Sequence, residues 1–320
     1  MEEHNIKRIL HLGDYYEHRK FVNFKALHTN RRVFLERLRN ENIHMDIIPG
    51  NHDVYYKNTN DLCSLKELMG HYTDCVTIHM NPTVVDYDGT DIALIPWINP
   101  ENELEITEWL DACKANIVGS HLELAGYEVT KGMMCPTGTD DKIFNKFEMV
   151  LTGHFHTKSS KGNIHYLGAQ MEFFWNDAHD PKYFHVLDTQ TRELEAIQNP
   201  ITLFEKVYYD DTKDGSDYET MDLDHLHDKY VKVIVINKKD TYMFDRLLDR
   251  IQNRRILELK IQENFAEFIG TAVDDEAVSV EDTETLLSSY VDAVETELDK
   301  ERIKTEVGNL MIEAQSLTVA

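Results

Sequence analysis

No stretch of this chain is apolar for long enough to span a membrane, and the opening Met1-Glu2-Glu3-His4-Asn5 carries neither the basic region nor the apolar run of a secretory leader. The expectation is a soluble, cytoplasmic protein. Cysteine is scarce: Cys63, Cys75, Cys113 and Cys135 fall at irregular spacing with no C-x-x-C pair. That pattern excludes a zinc knuckle or a dense disulfide framework and leaves free thiols. Basic charge is in deficit, with 33 Lys and Arg against 58 Asp and Glu and a formal net charge of −25. Phosphate repulsion therefore excludes loose nucleic-acid binding over the whole surface, and a nucleic-acid ligand requires metal ions or a local basic patch.

What is present is a chain of 320 residues with 42% hydrophobic content, enough for one large core and a smaller second unit. Ile6 to Leu12 and Met45 to Ile48 read as buried strands that stop at glycine-led loops, and Phe24 to Asn40, with Leu27, Phe34 and Leu38 on one face, reads as the helix between them. Further strands are expected at Val76 to His79, Thr83 to Tyr87, Ile92 to Pro96, Ile117 to Gly119, Met149 to Thr152, Asn163 to Leu167 and Tyr183 to Leu187. Helices at Leu62 to Gly70 and Leu104 to Ala115 alternate with the earlier strands, which favours a layered α/β architecture. After about Pro200 the pattern becomes strand, amphipathic helix, strand over Tyr230 to Ile236, Tyr242 to Arg254 and Ile256 to Ile261. Residues 271–285 are acidic and poor in large apolar groups, and helical periodicity returns from Leu286 to Met311.

Four short segments end on metal-type ligands: Gly13-Asp14, Gly50-Asn51-His52-Asp53, Gly119-Ser120-His121 and Gly153-His154-Phe155-His156. Taken singly they are ordinary: Gly-Asp is usually a turn, Asn-His-Asp can cap a helix, and one histidine more often packs than ligates. All four in this order, each following an expected strand, describe loops that turn sharply to aim side chains at one point. Asp14 is the natural bridging carboxylate of a two-metal phosphoesterase, in which paired cations clamp the attacking and leaving oxygens. Imidazole and amide ligands suit manganese, iron or zinc better than magnesium, and manganese is the first choice.

The order GD, GNHD, GxH, GHxH, supported by IIPGNHDVYYKN, VVDYDGTDIALIPW, GSHLELAGY and LTGHFHT, resembles the SbcD-like recombination nucleases of the calcineurin-like metallophosphoesterase superfamily, in particular those of T-even-type phages. The resemblance implies a four-layer α/β/β/α sandwich (1–200), a small α+β capping domain (201–270), an acidic linker (271–285) and partner-binding C-terminal helices (286–320). It implies a manganese-dependent nuclease acting on DNA ends in recombination and repair, as a homodimer with an SMC-type coiled-coil ATPase. Carried over by position, Asp14, Asn51, His121 and His154 hold one ion and His156 serves the other. His52 contacts the scissile phosphate as general acid, and Asp53 orients His52.

The family also expects an Asp-x-His strand upstream of Asp14, which only thirteen residues precede. The one such triplet present, Asp177-Ala178-His179 beside Asp180-Pro181, reads as a turn. The expectation is one complete metal site and one weak or empty site. A late start or split gene is favoured over a truncated variant, because Met1 to Ile6 reads as a helix that continues without a cap. A nuclease-like scaffold with no catalysis stays open as the main rival, while a phosphomonoesterase or cyclic phosphodiesterase of the same superfamily is disfavoured by the capping unit and partner helices. Arg19, Lys20, Arg31 and Arg32, with Arg37 and Arg39, are candidates for phosphate contact. A solvated helix face or a dimer interface are the alternatives.

Overall fold

The computed structural model describes residues 6–130, 133–135, 138–213, 217–263, 299, 300, 302 and 303. In chain order the first half contains β1 (Arg8–His11), α1 (Phe24–Asn30), α2 (Glu36–Asn40), β2 (His44–Ile47), α3 (Ser64–Met69), β3 (Val76–Ile78), β4 (Thr83–Tyr87) and β5 (Thr90–Ile95). There follow α4 (Glu103–Ala112), β6 (Ile117–His121), β7 (Glu128–Thr130), β8 (Met133–Met134), β9 (Met149–Gly153), β10 (Ser159–Lys161) and β11 (Ile164–Tyr166). The remainder is β12 (Tyr183–Leu187), β13 (Leu194–Gln198), β14 (Phe204–Asp210), β15 (Tyr230–Asn237), α5 (Thr241–Gln252) and β16 (Glu258–Glu263).

Two sheets carry the large core. One is parallel, in the order β1-β2-β3, and the other runs β10-β11-β9-β6-β5-β4 with β5, β6 and β9 parallel. Alternation along β2 explains the layering, since successive side chains point to opposite faces. Met45 and Ile47 join Leu35, Leu38, Leu65 and Met69 in a helix-facing cluster, whereas Ile48 joins Tyr87, Ile92, Leu94 and Ile117, with Leu10 and Leu12, between the sheets. On the far side Ala93, Ile95, Val118 and Val150 pack with Ile106 and Leu110 of α4. Helix, sheet, sheet, helix is therefore the observed order, an α/β sandwich as expected. Gly119 is where the sheets approach: a Cβ there would lie 3.0 Å from Leu10 Cδ2 and 3.2 Å from Leu12 Cδ2.

One buried charge sits in this sandwich. Asp46, on the face of β2 opposite Met45, accepts from Arg8 (2.8 Å), His79 Nε2 (2.8 Å) and the Tyr87 hydroxyl (3.0 Å), tying β1, the end of β3 and β4 of the second sheet together. Every donor is a partner that burial demands.

The helix expected over Phe24 to Asn40 is broken by a wider π turn at Arg31–Leu35. An inserted residue rotates the buried face by about 100°, so Leu35 becomes fully buried while Phe34 and Leu27 pack only partly. The region after Pro200 forms a parallel sheet β14-β15-β16 with α5 crossing between its last two strands. It has its own apolar cluster, built from Val207, Tyr209, Val231, Val233, Phe244, Leu247 and Ile251. The strand β14 that opens this unit had no clear alternation to reveal it. The acidic stretch 271–285, and residues 286–320 apart from 299, 300, 302 and 303, lie outside the described residues.

Candidate metal centre

Four strands deliver the glycine-led segments at their C-terminal ends, where open parallel sheets gather functional loops. Leu12-Gly13-Asp14 follows β1, Gly50 to Asp53 follows β2, His121 ends β6, and His154 follows β9. Gly13 has φ +90°, and a Cβ on it would lie 2.6 Å from Gly50 N and 2.7 Å from His121 Nδ1. No other residue fits at this crossing of loops. Asp14 (φ 54°) and His154 (φ 85°) are themselves left-handed, a conformation that costs a non-glycine residue about 1 kcal/mol or more and is retained where function requires it.

Asp14, His121 and His154 bring one ligand atom each to within 4.8 Å of one another. Asn51, buried, lies in the middle. One end of its amide is 3.2 Å from Asp14 Oδ2, 3.0 Å from His121 Nε2 and 3.0 Å from His154 Nδ1, and the other end is 3.3 Å from Arg19 Nη2. With its nitrogen inward, the two amide N–H groups face these three acceptors and the oxygen accepts from Arg19. With its oxygen inward, it becomes a fourth acceptor among acceptors, an arrangement that a cation satisfies. The donor set, one carboxylate, two imidazoles and one amide, fits a divalent transition ion.

The rings are prepared for that role. His121 Nδ1 lies 2.6 Å from the Leu12 carbonyl and donates to it, leaving Nε2 to face Asp14 Oδ2 at 3.1 Å. Burial opposes charge on His121, but Asp14 outweighs it and raises the ring's pKa. Burial likewise opposes charge on Asp14, yet His121 and the His52 N–H (2.8 Å) hold its carboxyl well below the usual range. A cation bound between Asp14 and His121 competes with protonation of the ring, since an imidazole nitrogen ligates only when it carries no proton. His154 is lowered, chiefly by burial, and its Nε2 is 3.4 Å from Glu123 Oε2, so Nδ1 is the free ligand atom.

Other expected site residues fall differently. His52 stands beside Asp14, but its Nδ1 is 2.6 Å from the Glu17 carbonyl and makes no bond to Asp53. Asp53 instead accepts the backbone N–H groups of Tyr15 (2.9 Å), Tyr16 (3.3 Å) and Gly50 (2.9 Å), joining the Asp14 and Asn51 loops from below. The expectation that Asp53 orients His52 is corrected accordingly: a carboxylate that serves three amides has turned away from the ring beside it. Full burial, with Asp14 nearby, pushes Asp53 up to about 7.

His156 lies outside the three-residue cluster. Its Nδ1 is 3.2 Å from Asp177 Oδ2, and its ring stacks on Phe174 with centroids 5.6 Å apart and 6° between planes. Asp177 is paired in turn with the buried Lys182 (2.7 Å), which also donates to Asp180 (2.8 Å) and to the His156 carbonyl (3.0 Å). The turn read at Asp177 to His179 is present, closed by the Asp180 N–H on the Asp177 carbonyl (3.0 Å) and led into by a short 3-10 helix at Trp175–Asp177; His179 itself faces Glu205 at 3.6 Å.

Among the basic candidates only Arg19 reaches the cluster; its Nη1 and the Nε of Arg31 are enclosed without hydrogen-bond partners among the described residues. Lys20 lies over the Tyr55 ring at 5.9 Å, Arg32 is exposed, and Arg37 and Arg39 are engaged by Glu41 and by Asp74 and Glu36. Sequence reasoning missed Glu123 and Lys182, and it set Asp177 aside as part of a turn. Glu123 had one available signal, its position two residues beyond His121 on the same side of an extended segment; the Asp177 to Lys182 pair had none.

No protein-family model matches the chain. A solved structure, titled as the characterization of a novel archaeal phosphodiesterase, aligns over 62% of this chain and 86% of its own with 14% identity and a TM-score of 0.33. The exonuclease subunit 1 of Enterobacteria phage T4 is 31% identical over 316 residues, 98% of this chain and 89% of the phage protein. On that identity over nearly its whole length, the chain belongs to the phage exonuclease subunit 1 family, the SbcD-like branch of the calcineurin-like metallophosphoesterases.

Proposed function

We propose that the protein is the nuclease subunit of a DNA-end-processing complex, a metal-dependent phosphodiesterase with exonuclease and endonuclease action in recombination and repair. One observation carries this reading: Asp14, His121 and His154 converge around the Asn51 amide in the donor chemistry of a divalent-ion site, with His52 alongside. A bound divalent ion, manganese by preference, supplies Lewis acidity toward a phosphate oxygen and lowers the pKa of water. Asp14, Asn51, His121 and His154 would hold it. His156 is assigned to a second ion, its Nδ1–H fixed by Asp177 so that Nε2 is the available ligand atom. His52, tethered through Nδ1 to the Glu17 carbonyl, keeps Nε2 free to touch the scissile phosphate and pass a proton to the leaving oxygen. Asp53 acts further back, by holding the two loops in register.

Arg19 stands at the cluster as the phosphate contact, with Lys20, Arg31 and Arg32 extending the path. Residues 1–200 are assigned to the nuclease core, 201–270 to a capping domain, 271–285 to a linker, and 286–320 to the surface that meets an SMC-type coiled-coil ATPase. Exposed Phe21, Phe24 and Val33, at 65, 88 and 56%, support a homodimer through the first helices. A second reading, a nuclease-like scaffold that grips DNA ends without cutting, is favoured by one fact: His156 stands apart from the ligand cluster. Labelled duplex DNA incubated with manganese, with magnesium and with chelator decides between them. The nuclease reading expects metal-dependent cleavage lost in Asp14→Asn and reduced about 100-fold or more in His52→Ala; binding without cleavage in every metal would establish the scaffold.

A further inference from the structure

A recess of about 460 Å³ opens beside the metal cluster and shares His121 with it. Trp97 forms one wall. Its ring lies 5.8 Å from that of His121 and 5.4 Å from that of His154, so whatever rests on the indole is in reach of the candidate ligands. The backbone of Trp97 is fixed at both ends: its N–H donates to the Pro49 carbonyl (2.9 Å), and its carbonyl accepts from Asn60 Nδ2 (2.9 Å) and Asn102 Nδ2 (3.0 Å). The buried Asn99 completes the clamp by donating to Asn60 Oδ1 (3.0 Å) through its side chain and to Asn102 Oδ1 (2.8 Å) through its backbone. Three asparagines thus fix the backbone that carries the indole before any ligand arrives, which reduces the ordering cost of binding.

The charge of the recess selects its occupant. Glu103 and Glu123 line it, and among the described residues no lysine or arginine does, so a phosphate is repelled there. An uncharged, flat ring with N–H donors on its edge is favoured: it stacks on the indole and offers hydrogen bonds to the carboxylates. The volume falls within the range of about 300–1,000 Å³ that small-molecule sites occupy. We propose that this recess is a nucleobase pocket, with Trp97 the stacking face for the base adjacent to the scissile phosphate. The inference rests on the nuclease reading and adds to it a grip on the base, where the metal cluster and Arg19 account only for the phosphate.

The test uses the full chain in chelator, which prevents cleavage, and fluorescent single-stranded oligonucleotides in which one abasic nucleotide is moved along the strand a position at a time. One position should weaken binding roughly 5- to 150-fold, the range for loss of one base stack. Trp97→Ala should lose a similar factor on intact DNA and nothing further when that nucleotide is abasic, whereas Trp97→Phe should keep most of the affinity. No sensitive position, or an equal Trp97→Ala loss on intact and abasic strands, overturns the proposal. Should Trp97→Ala fail to fold, the abasic series on the wild type and the Trp97→Phe chain still decide. A wild type that cuts DNA in manganese without any abasic effect sinks the pocket alone, while one that neither cuts nor binds DNA sinks the nuclease reading beneath it.

Discussion

Replacing Lys182 with methionine isolates the buried pair beneath His156. The side chains of Lys182 and Asp177 are 3% and 4% exposed, so solvent screens their attraction very little. Removing one member of such a pair typically costs 3–5 kcal/mol, because the other charge stays buried. Here the Asp177 carboxylate retains the backbone N–H groups of Phe173 (2.9 Å) and Phe174 (3.1 Å) and the His156 ring, which offsets part of the loss. The expected cost is therefore near the lower end, about 3 kcal/mol. Asp177→Asn should cost less, about 2 kcal/mol, since Lys182 keeps Asp180 and the His156 carbonyl. Their combination should be milder than the sum by roughly 1–2 kcal/mol, as for groups in direct contact. Urea unfolding of the four proteins, followed by circular dichroism, supplies the cycle. A Lys182→Met loss below about 1 kcal/mol together with strict additivity would refute the reasoning.

Three further outcomes follow from geometry given above. Asp46 is held down to about 2 from 3.8: burial pushes its pKa up, and His79, Arg8 and Tyr87 overcome it. A depressed carboxylate stabilises the fold above its unfolded pKa, so about 2 kcal/mol is present above pH 4 and disappears as pH falls toward 2; Asp46→Asn should flatten that limb of a stability-against-pH curve. In Gly153→Ala the new Cβ would sit 2.7 Å from the Leu12 carbonyl and 3.0 Å from His121 Nδ1, against the bond that orients the ring. Manganese affinity by calorimetry should fall about 10- to 100-fold, and an unchanged affinity would show that the ring needs no such support. Arg31→Ala with Arg32→Ala should lower the slope of log affinity against log salt by about one for each phosphate that these arginines neutralise; an unchanged slope removes both from the DNA path.

The sandwich and the ligand loops were legible because both rest on local rules. β-Branched runs ending in glycine gave strands whose ends carry Asp14, Asn51, His121 and His154, and the structure brings those four together. The partners of those residues were not legible. His52 is tethered by a carbonyl, which every residue has, and Asp53 turns from its sequence neighbour to three backbone amides. Asp177 and Lys182 reach His156 across more than twenty residues in a region of no marked periodicity. Likewise the π turn at Arg31–Leu35 escapes a reading by helical period, because it is a departure from that period.

The ligand cluster draws Asp14 and Asn51 from one sheet and His121 and His154 from the other, so its geometry is set by how the two sheets are aligned. A slip of one residue along a strand is about 3.3 Å, most of the 4.8 Å within which the three ligand atoms lie. Leucines and isoleucines resist separation but tolerate sliding. Asp46, with directional bonds to both sheets, works as a dowel between them. Substitutions that loosen this joint should therefore detune the metal centre at temperatures where the fold itself remains intact.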